Sequence, residues 1–212
     1  MNASSELKTH DVFNLVVLTL LVVVDLVYLV FATDFSQLGT DSIGENHRDI
    51  SDVLLIGFTL YLVIDLLWVI YIPTCVASSP ASIITHHIAC LVLISVPWTL
   101  PQFSWHLAVN LLVEINTLFL TARRNVSSKR FMFKLFDGLF YLTWVVLRLV
   151  LFPILVVFLY YEYERYSISV QTYLNILILA PTLECFVTAM SFKWTYDMLV
   201  KILFKGQKKK TS

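Results

Sequence analysis

The sequence predicts an all-α, polytopic membrane protein whose six transmembrane helices form one bundle. Three observations carry that prediction. Hydrophobic residues make up 58% of the 212 positions and the mean hydropathy is +0.78, which is more apolar surface than a soluble domain of this length can bury. The apolar residues are gathered into runs at 12–32, 53–72, 81–96, 105–121, 135–160 and 170–192. Each run is near the ~20 residues that cross ~30 Å of hydrocarbon. Lysine and arginine, finally, fall mostly on one side of the runs.

Taken in order, the first run resembles a signal peptide only in that Val30 and Ala32 satisfy a cleavage pattern; at about 20 residues it is longer than such a segment and reads as a retained helix. The third opens on Ser79 as N-cap, with Pro80 at the first helical position. Pro97 and Pro101 bracket Trp98 and predict a tight turn into the fourth. Residues 1–11 read as a cytosolic N-terminus, 12–192 as the six-helix domain and 193–212 as a basic cytosolic tail. There is no repeat, and the Lys208-Lys209-Lys210 run is the one low-complexity stretch.

Orientation follows from the loops, because cytosolic loops retain Lys and Arg. With a cytosolic N-terminus, that side holds Lys8, Arg123, Arg124, Lys129, Arg130, Lys134, Lys193 and the tail lysines. The opposite side has Arg48 and Arg165, with the acidic residues Asp34, Asp41, Glu45, Asp49, Asp52, Glu162 and Glu164. Both termini are then cytosolic, and the glycosylation-like triplets at Asn2 and Asn125 go unused. The formal charge is zero and the basic residues form no groove-like surface, which argues against a nucleic-acid partner. Cys75, Cys90 and Cys185 are odd in number and give no disulfide framework.

An ionisable side chain inside a membrane helix costs roughly 2.5–3.5 kcal/mol on insertion scales and calls for a partner or a polar cavity. Asp25, Asp65, His86, His87, Glu114, Asp137, Arg148 and Glu184 are such residues, and all but Asp25 and Arg148 read as lying in the cytosolic halves of their helices. Together they suggest a cavity open to the cytosol, although any one of them serves equally well as an interior ion pair. Helical spacing groups Phe58, Tyr61, Asp65 and Trp68 on one face, Asn110, Glu114, Thr117 and Thr121 on another, and Asp137, Tyr141, Trp144 and Arg148 on a third.

His86 and His87 lie about 9–10 Å inside the third helix at ~1.5 Å per residue. Neighbours on a helix diverge by ~100°, so one can act on a substrate while the other holds a helix contact. An imidazole at that place can accept a proton from a hydroxyl or amine, with Glu114 to orient it. The same divergence speaks against a metal centre, and no metal is expected; His10, His47 and His106 read as lying at helix ends or in a loop.

The run Thr85-His86-His87-Ile88-Ala89-Cys90, preceded by Asp65-Leu66-Leu67-Trp68 and followed by Leu112-Val113-Glu114-Ile115-Asn116-Thr117-Leu118-Phe119-Leu120 and then Arg148, resembles the TLC-domain family over nearly the whole chain. The resemblance implies a barrel-like arrangement of six helices around a pocket for a lipid chain, and a part in lipid metabolism of an internal membrane. The ceramide synthases of that family pair the two histidines with a later His-Asp cluster. Here Glu114-Ile115-Asn116-Thr117 stands in its place.

Two functional readings follow. In the first, the protein binds membrane lipid within the bundle and influences lipid composition, with no cofactor. In the second it is an acyltransferase taking acyl-CoA as co-substrate, with His86 or His87 as base, Glu114 as its orienting group and Arg148 against an anionic headgroup. A lipid transporter or cargo escort is a third, weaker reading. Asp65, Trp68, Thr117, Asp137, Tyr141 and Arg148 are the expected lipid-binding residues. The terminal Lys209-Lys210-Thr211-Ser212 is similar to the dilysine signal that coat proteins recognise on endoplasmic reticulum proteins.

Overall fold

The computed structural model describes residues 3–31, 48–76, 79–127 and 130–208. Asp34, Asp41 and Glu45 of the expected lumenal loop, His47, Lys129 and the Lys209-Lys210 pair lie outside the described residues. The helices are α1 (Ala3–Phe31), α2 (Arg48–Tyr71), α3 (Pro80–Thr99), α4 (Ser104–Leu111), α5 (Glu114–Asn125), α6 (Phe131–Thr143), α7 (Phe152–Ser169) and α8 (Leu179–Lys208). Short 3₁₀ turns at Pro73–Cys75, Pro101–Phe103 and Ile176–Ile178 precede α3, α4 and α8.

Six segments are long and apolar enough to cross a membrane: Ser5–Phe31, Asp49–Tyr71, Pro80–Thr99, Pro101–Asn125, Phe131–Ser169 and Ile176–Leu203. The fourth crossing joins α4 to α5, and the fifth joins α6 to α7. The chain enters on the side of its termini and crosses alternately, so the second connection (72–79), the fourth (126–130) and both termini share one surface. Helix neighbours close a ring: α1 packs on α2, α2 on α3, α3 on α8, α8 on α7, α6 on α5, and α5 back on α1. The crossings therefore run 1-2-3-6-5-4 around the bundle, with α4 leaning inward against α2 and α3. The third and fourth crossings, joined by a short turn, meet near that turn and then separate.

Burial follows the ring. On α1, Leu18 has no exposed surface while Leu20, on the opposite face, is 63% exposed to what would be lipid. Inside, Leu18, Leu54, Leu62, Phe58, Ile94 and Leu111 form the core that ties the first four crossings together. Glycine is needed at one close approach: a Cβ at Gly57 would stand 3.3 Å from Leu21 Cδ2, so the missing side chain lets α2 lie tightly on α1.

Two crossings depart from a regular helix. At Leu112 and Val113 the fourth is interrupted, and Glu114 opens α5, where a carboxylate complements the helix N-terminus. In the fifth, Trp144–Leu151 is π-helical. Pro153 lies just beyond it and has no N–H to give to the preceding turn, which favours a loosened turn there. The sequence reading differs from the structure at three places here. Pro97 sits inside α3 and not in the turn. α1 begins at Ala3 and α8 runs to Lys208, so both helices extend beyond their apolar runs.

Candidate functional site

A tightly bonded polar group joins three helices near the surface that carries the termini. Asp65 on α2 holds His10 of α1 through Oδ1 at 2.6 Å and His87 of α3 through Oδ2 at 2.9 Å. The other nitrogen of His87, Nδ1, donates to the Ile83 carbonyl one turn back at 2.8 Å. Both ring nitrogens of His87 are thus occupied within the protein. Trp68 packs edge-on against His10 at 5.5 Å, and Phe13 packs on Trp68 at 5.3 Å. His10 is buried inside α1 and not at a helix end, because its bond to Asp65 draws the start of α1 into the bundle. Beside it, Asp11 receives a 2.5 Å bond from Arg124 Nη2 at the end of α5.

A second group is built on the π-helical segment. Asn116 of α5 braces the turn that leads into it: its Nδ2 donates to the Phe140 carbonyl at 2.9 Å, which also accepts from the Trp144 N–H, and to Thr143 Oγ1 at 3.0 Å. The Asn116 Oδ1 accepts from Arg148 Nε at 3.1 Å, and Arg148 Nη2 reaches Thr117 Oγ1 at 3.4 Å. The guanidinium lies between two indoles, 5.1 Å from the Trp144 ring and 5.7 Å from the Trp194 ring. Those indoles are themselves fixed, Trp144 by Thr195 and Trp194 by Ser82. Arg148 Nη1 is buried without a hydrogen-bond partner, and among the described residues no carboxylate comes within ion-pair distance of the group. Glu114 is the carboxylate that acts on it from farther away.

Between these groups runs a narrow cavity of about 50 Å³. At ~10–15 Å³ per site that is room for a few waters in its present width. His86, Cys90 and Glu114 line it toward the side of the termini, and His106, Asn110 and Glu184 toward the other side. The rest of its wall is apolar, with Phe58, Ile94, Leu107, Val113 and Phe152 prominent. His86 makes no bond stronger than a 3.7 Å approach of Cys90 Sγ to Nε2, and stands edge-on to Trp194 at 5.5 Å.

The structure thus separates the two histidines: His87 faces Asp65 and His10, while His86 faces the cavity with Glu114. His87 is oriented by Asp65, not by Glu114. Thr117 lies beside Arg148. Asp137 pairs with Arg123 at 2.7 Å, away from the cavity. Tyr141 is 38% exposed on the outer face, because the π-helical segment rotates Trp144 and Arg148 inward relative to the regular spacing that grouped all four. Sequence reasoning missed His10 and His106 as interior groups. It also placed Glu184 in the half nearer the termini; counted from Ile176, Glu184 is ~12 Å from the opposite surface. Among the described residues no cluster of His, Cys, Asp or Glu is arranged to hold a metal ion.

No curated protein and no solved structure matches the chain. A model of the TLC domain matches residues 9–200, from beside His10 to near the end of α8, and takes in the Asp65–His87 link, the cavity and Arg148. With the match spanning nearly all of this multi-pass helical chain, the protein belongs to the TLC-domain family.

Proposed function

We propose that this protein is a lipid-handling protein of an internal membrane, the endoplasmic reticulum by its lysine tail, which seats an amphiphile in the interior cavity and so influences membrane lipid composition. The observation that carries this reading is an apolar slot inside the ring with polar groups at both ends and an unpaired guanidinium beside it. Arg148 supplies the charge for an anionic headgroup, with Thr117 as a hydroxyl contact. The termini face the cytosol, on the strength of the Lys and Arg distribution. The test is mass spectrometry of lipid co-purified with the wild type and with Arg148→Met. The expected result is an anionic lipid enriched on the wild type and lost from the variant at equal protein recovery. Identical lipid profiles would overturn it.

The acyltransferase reading keeps one specific support, the state of His86. Its imidazole is committed to no strong hydrogen bond and opens on the cavity, as a general base needs. On this reading His86 takes the proton of a hydroxyl or amine acceptor, the acceptor attacks the thioester carbonyl of acyl-CoA, and coenzyme A leaves as the thiol with that proton. His87, engaged on both nitrogens, holds helices together instead. Transfer of labelled acyl groups by the purified protein, abolished in His86→Ala and retained in Cys90→Ala, is the expected result; no transfer by the wild type ends this reading.

A further inference from the structure

The end of the cavity away from the termini has polar groups that the reading above does not use. Glu184 on α8 has no exposed surface; the Asn110 side chain is the polar group that acts on its carboxyl, and neither carboxyl oxygen has a hydrogen-bond partner in good geometry. His106 on α4 is 5% exposed, and both its ring nitrogens are equally without a partner. Both side chains line the same cavity, and Asn110, one turn along from His106, lines it with them. The Asn110 amide donates to the His106 carbonyl at 3.0 Å, so this turn of α4 is fixed from within.

A structural role would leave these groups bonded. Asp65, the carboxylate that does join helices here, is bonded through both oxygens at 2.6 and 2.9 Å. Glu184 has at most the Asn110 side chain, whose amide is engaged by the His106 carbonyl at 3.0 Å, and among the described residues no Lys or Arg stands within ion-pair distance of it. Two unsatisfied polar side chains in a membrane interior, both lining one cavity, point to a partner that enters the cavity.

The donor and acceptor inventory limits what that partner is. A neutral imidazole offers one N–H and one acceptor nitrogen, and a carboxyl offers mainly acceptor oxygens. An ester carbonyl only accepts, so the imidazole acceptor nitrogen and at least one carboxyl oxygen stay unmet, whereas an ammonium only donates and leaves the imidazole N–H unmet. A hydroxyl does both from one atom. The surrounding wall, with Pro97, Leu159, Ala180 and Val187, is apolar and suits a hydrocarbon chain.

We propose that Glu184 and His106 form a second polar subsite, which takes the hydroxyl group of an aliphatic chain lying in the cavity. The proposal rests on the reading that the cavity holds an amphiphile. Measured along the helices, His106 and Glu184 lie ~8–12 Å from the surface opposite the termini, and His86 ~9 Å from the other. The two polar sets are thus about 10 Å apart through the bilayer. A chain that places its headgroup at Arg148 would reach the subsite with a hydroxyl partway along its length; a long-chain alcohol would reach it head first.

The experiment compares thermal protection of the full-length protein in detergent by 12-hydroxystearate against stearate, and by hexadecan-1-ol against hexadecane. For the wild type, the hydroxylated member of at least one pair should reach half-maximal protection at a concentration at least about tenfold lower than its partner. A gain in the first pair identifies a hydroxylated acyl chain, and a gain in the second alone identifies a fatty alcohol. Glu184→Leu and His106→Phe should remove the difference while leaving protection by stearate in place. Glu184→Gln, which keeps the shape, serves if either of those variants fails to fold. Equal protection within both pairs, as when water alone occupies the subsite, overturns the proposal, and so does a difference that survives in the variants. Protection by none of the four probes would overturn both the proposal and the lipid-cavity reading; protection by stearate with no hydroxyl preference overturns only the proposal.

Discussion

Replacing Asp65 by Leu breaks the link that ties α1, α2 and α3, and the size of the loss can be worked from the bonds. The substitution removes bonds of 2.6 Å to His10 and 2.9 Å to His87 and leaves two buried imidazoles without that partner. Each orphaned group costs about 1–3 kcal/mol, offset in part because the buried carboxylate is no longer desolvated. A net loss of about 3 kcal/mol is expected, near the lower end for a buried charged group deprived of its partner. Because the three side chains act through one carboxylate, the losses are not additive. A triple variant with Leu at 10, 65 and 87 should recover to within about 1 kcal/mol of the wild type, apolar packing standing in for the polar link. The assay is unfolding in mixed micelles titrated with sodium dodecyl sulfate, followed by tryptophan fluorescence. A loss below about 1 kcal/mol for the single variant, or a triple variant as unstable as the sum of the three singles, would refute the argument.

Three further outcomes are expected. Leu18→Ala should cost about 2–5 kcal/mol in the same assay, since the side chain is fully buried, while Leu20→Ala, on the outer face of α1, should lie within about 0.5 kcal/mol of the wild type. Asn116→Leu should cost about 2 kcal/mol, as it leaves the buried Arg148 Nε without its acceptor and takes the amide bond from the Phe140 carbonyl, with Arg148→Met adding little on top of it. Cys75, which lies between the second and third crossings, is fully buried, and burial pushes its thiol up to about 11. The thiolate is the reactive form, so alkylation of Cys75 in the folded protein should be negligible at pH 8 and rise only as the pH approaches 11, whereas unfolding should expose it at once.

The number of crossings was legible because lipid imposes a length and a polarity on each helix independently of its neighbours. Helix ends were not, since residues such as His10 and Lys193 are polar yet helical: His10 is bonded into the bundle, and Lys193 pairs with Asp197 at 2.7 Å on the same helix. Asp65 and Glu114 could be picked out as costly residues, but their partners could not. Pairing depends on the ring order 1-2-3-6-5-4, and nothing in the spacing says that α3 adjoins α8 or that α1 adjoins α5. The grouping of Asp137 and Tyr141 with Arg148 assumed an unbroken 3.6-residue period, which the π-helical segment interrupts. His106 was passed over because a single histidine beside Trp105 at the end of a short apolar run has the look of an interfacial residue; an internal void has no linear signature.

The under-wound stretch at Trp144–Leu151 has a consequence for how this chain should be aligned with others of its kind. A π turn is what one surplus residue in an α-helix produces when the two ends of the helix are held by their surroundings. A relative whose fifth crossing is regular would be expected to lack one residue here, so a gapless alignment would pair the two chains correctly on one side of the segment and one position out of phase on the other. Deleting one residue between 144 and 147 would have the same effect within this protein, turning either Arg148 or the Asp137 face by about 100° and parting the guanidinium from Asn116. Length, and not only composition, is therefore under constraint in this crossing.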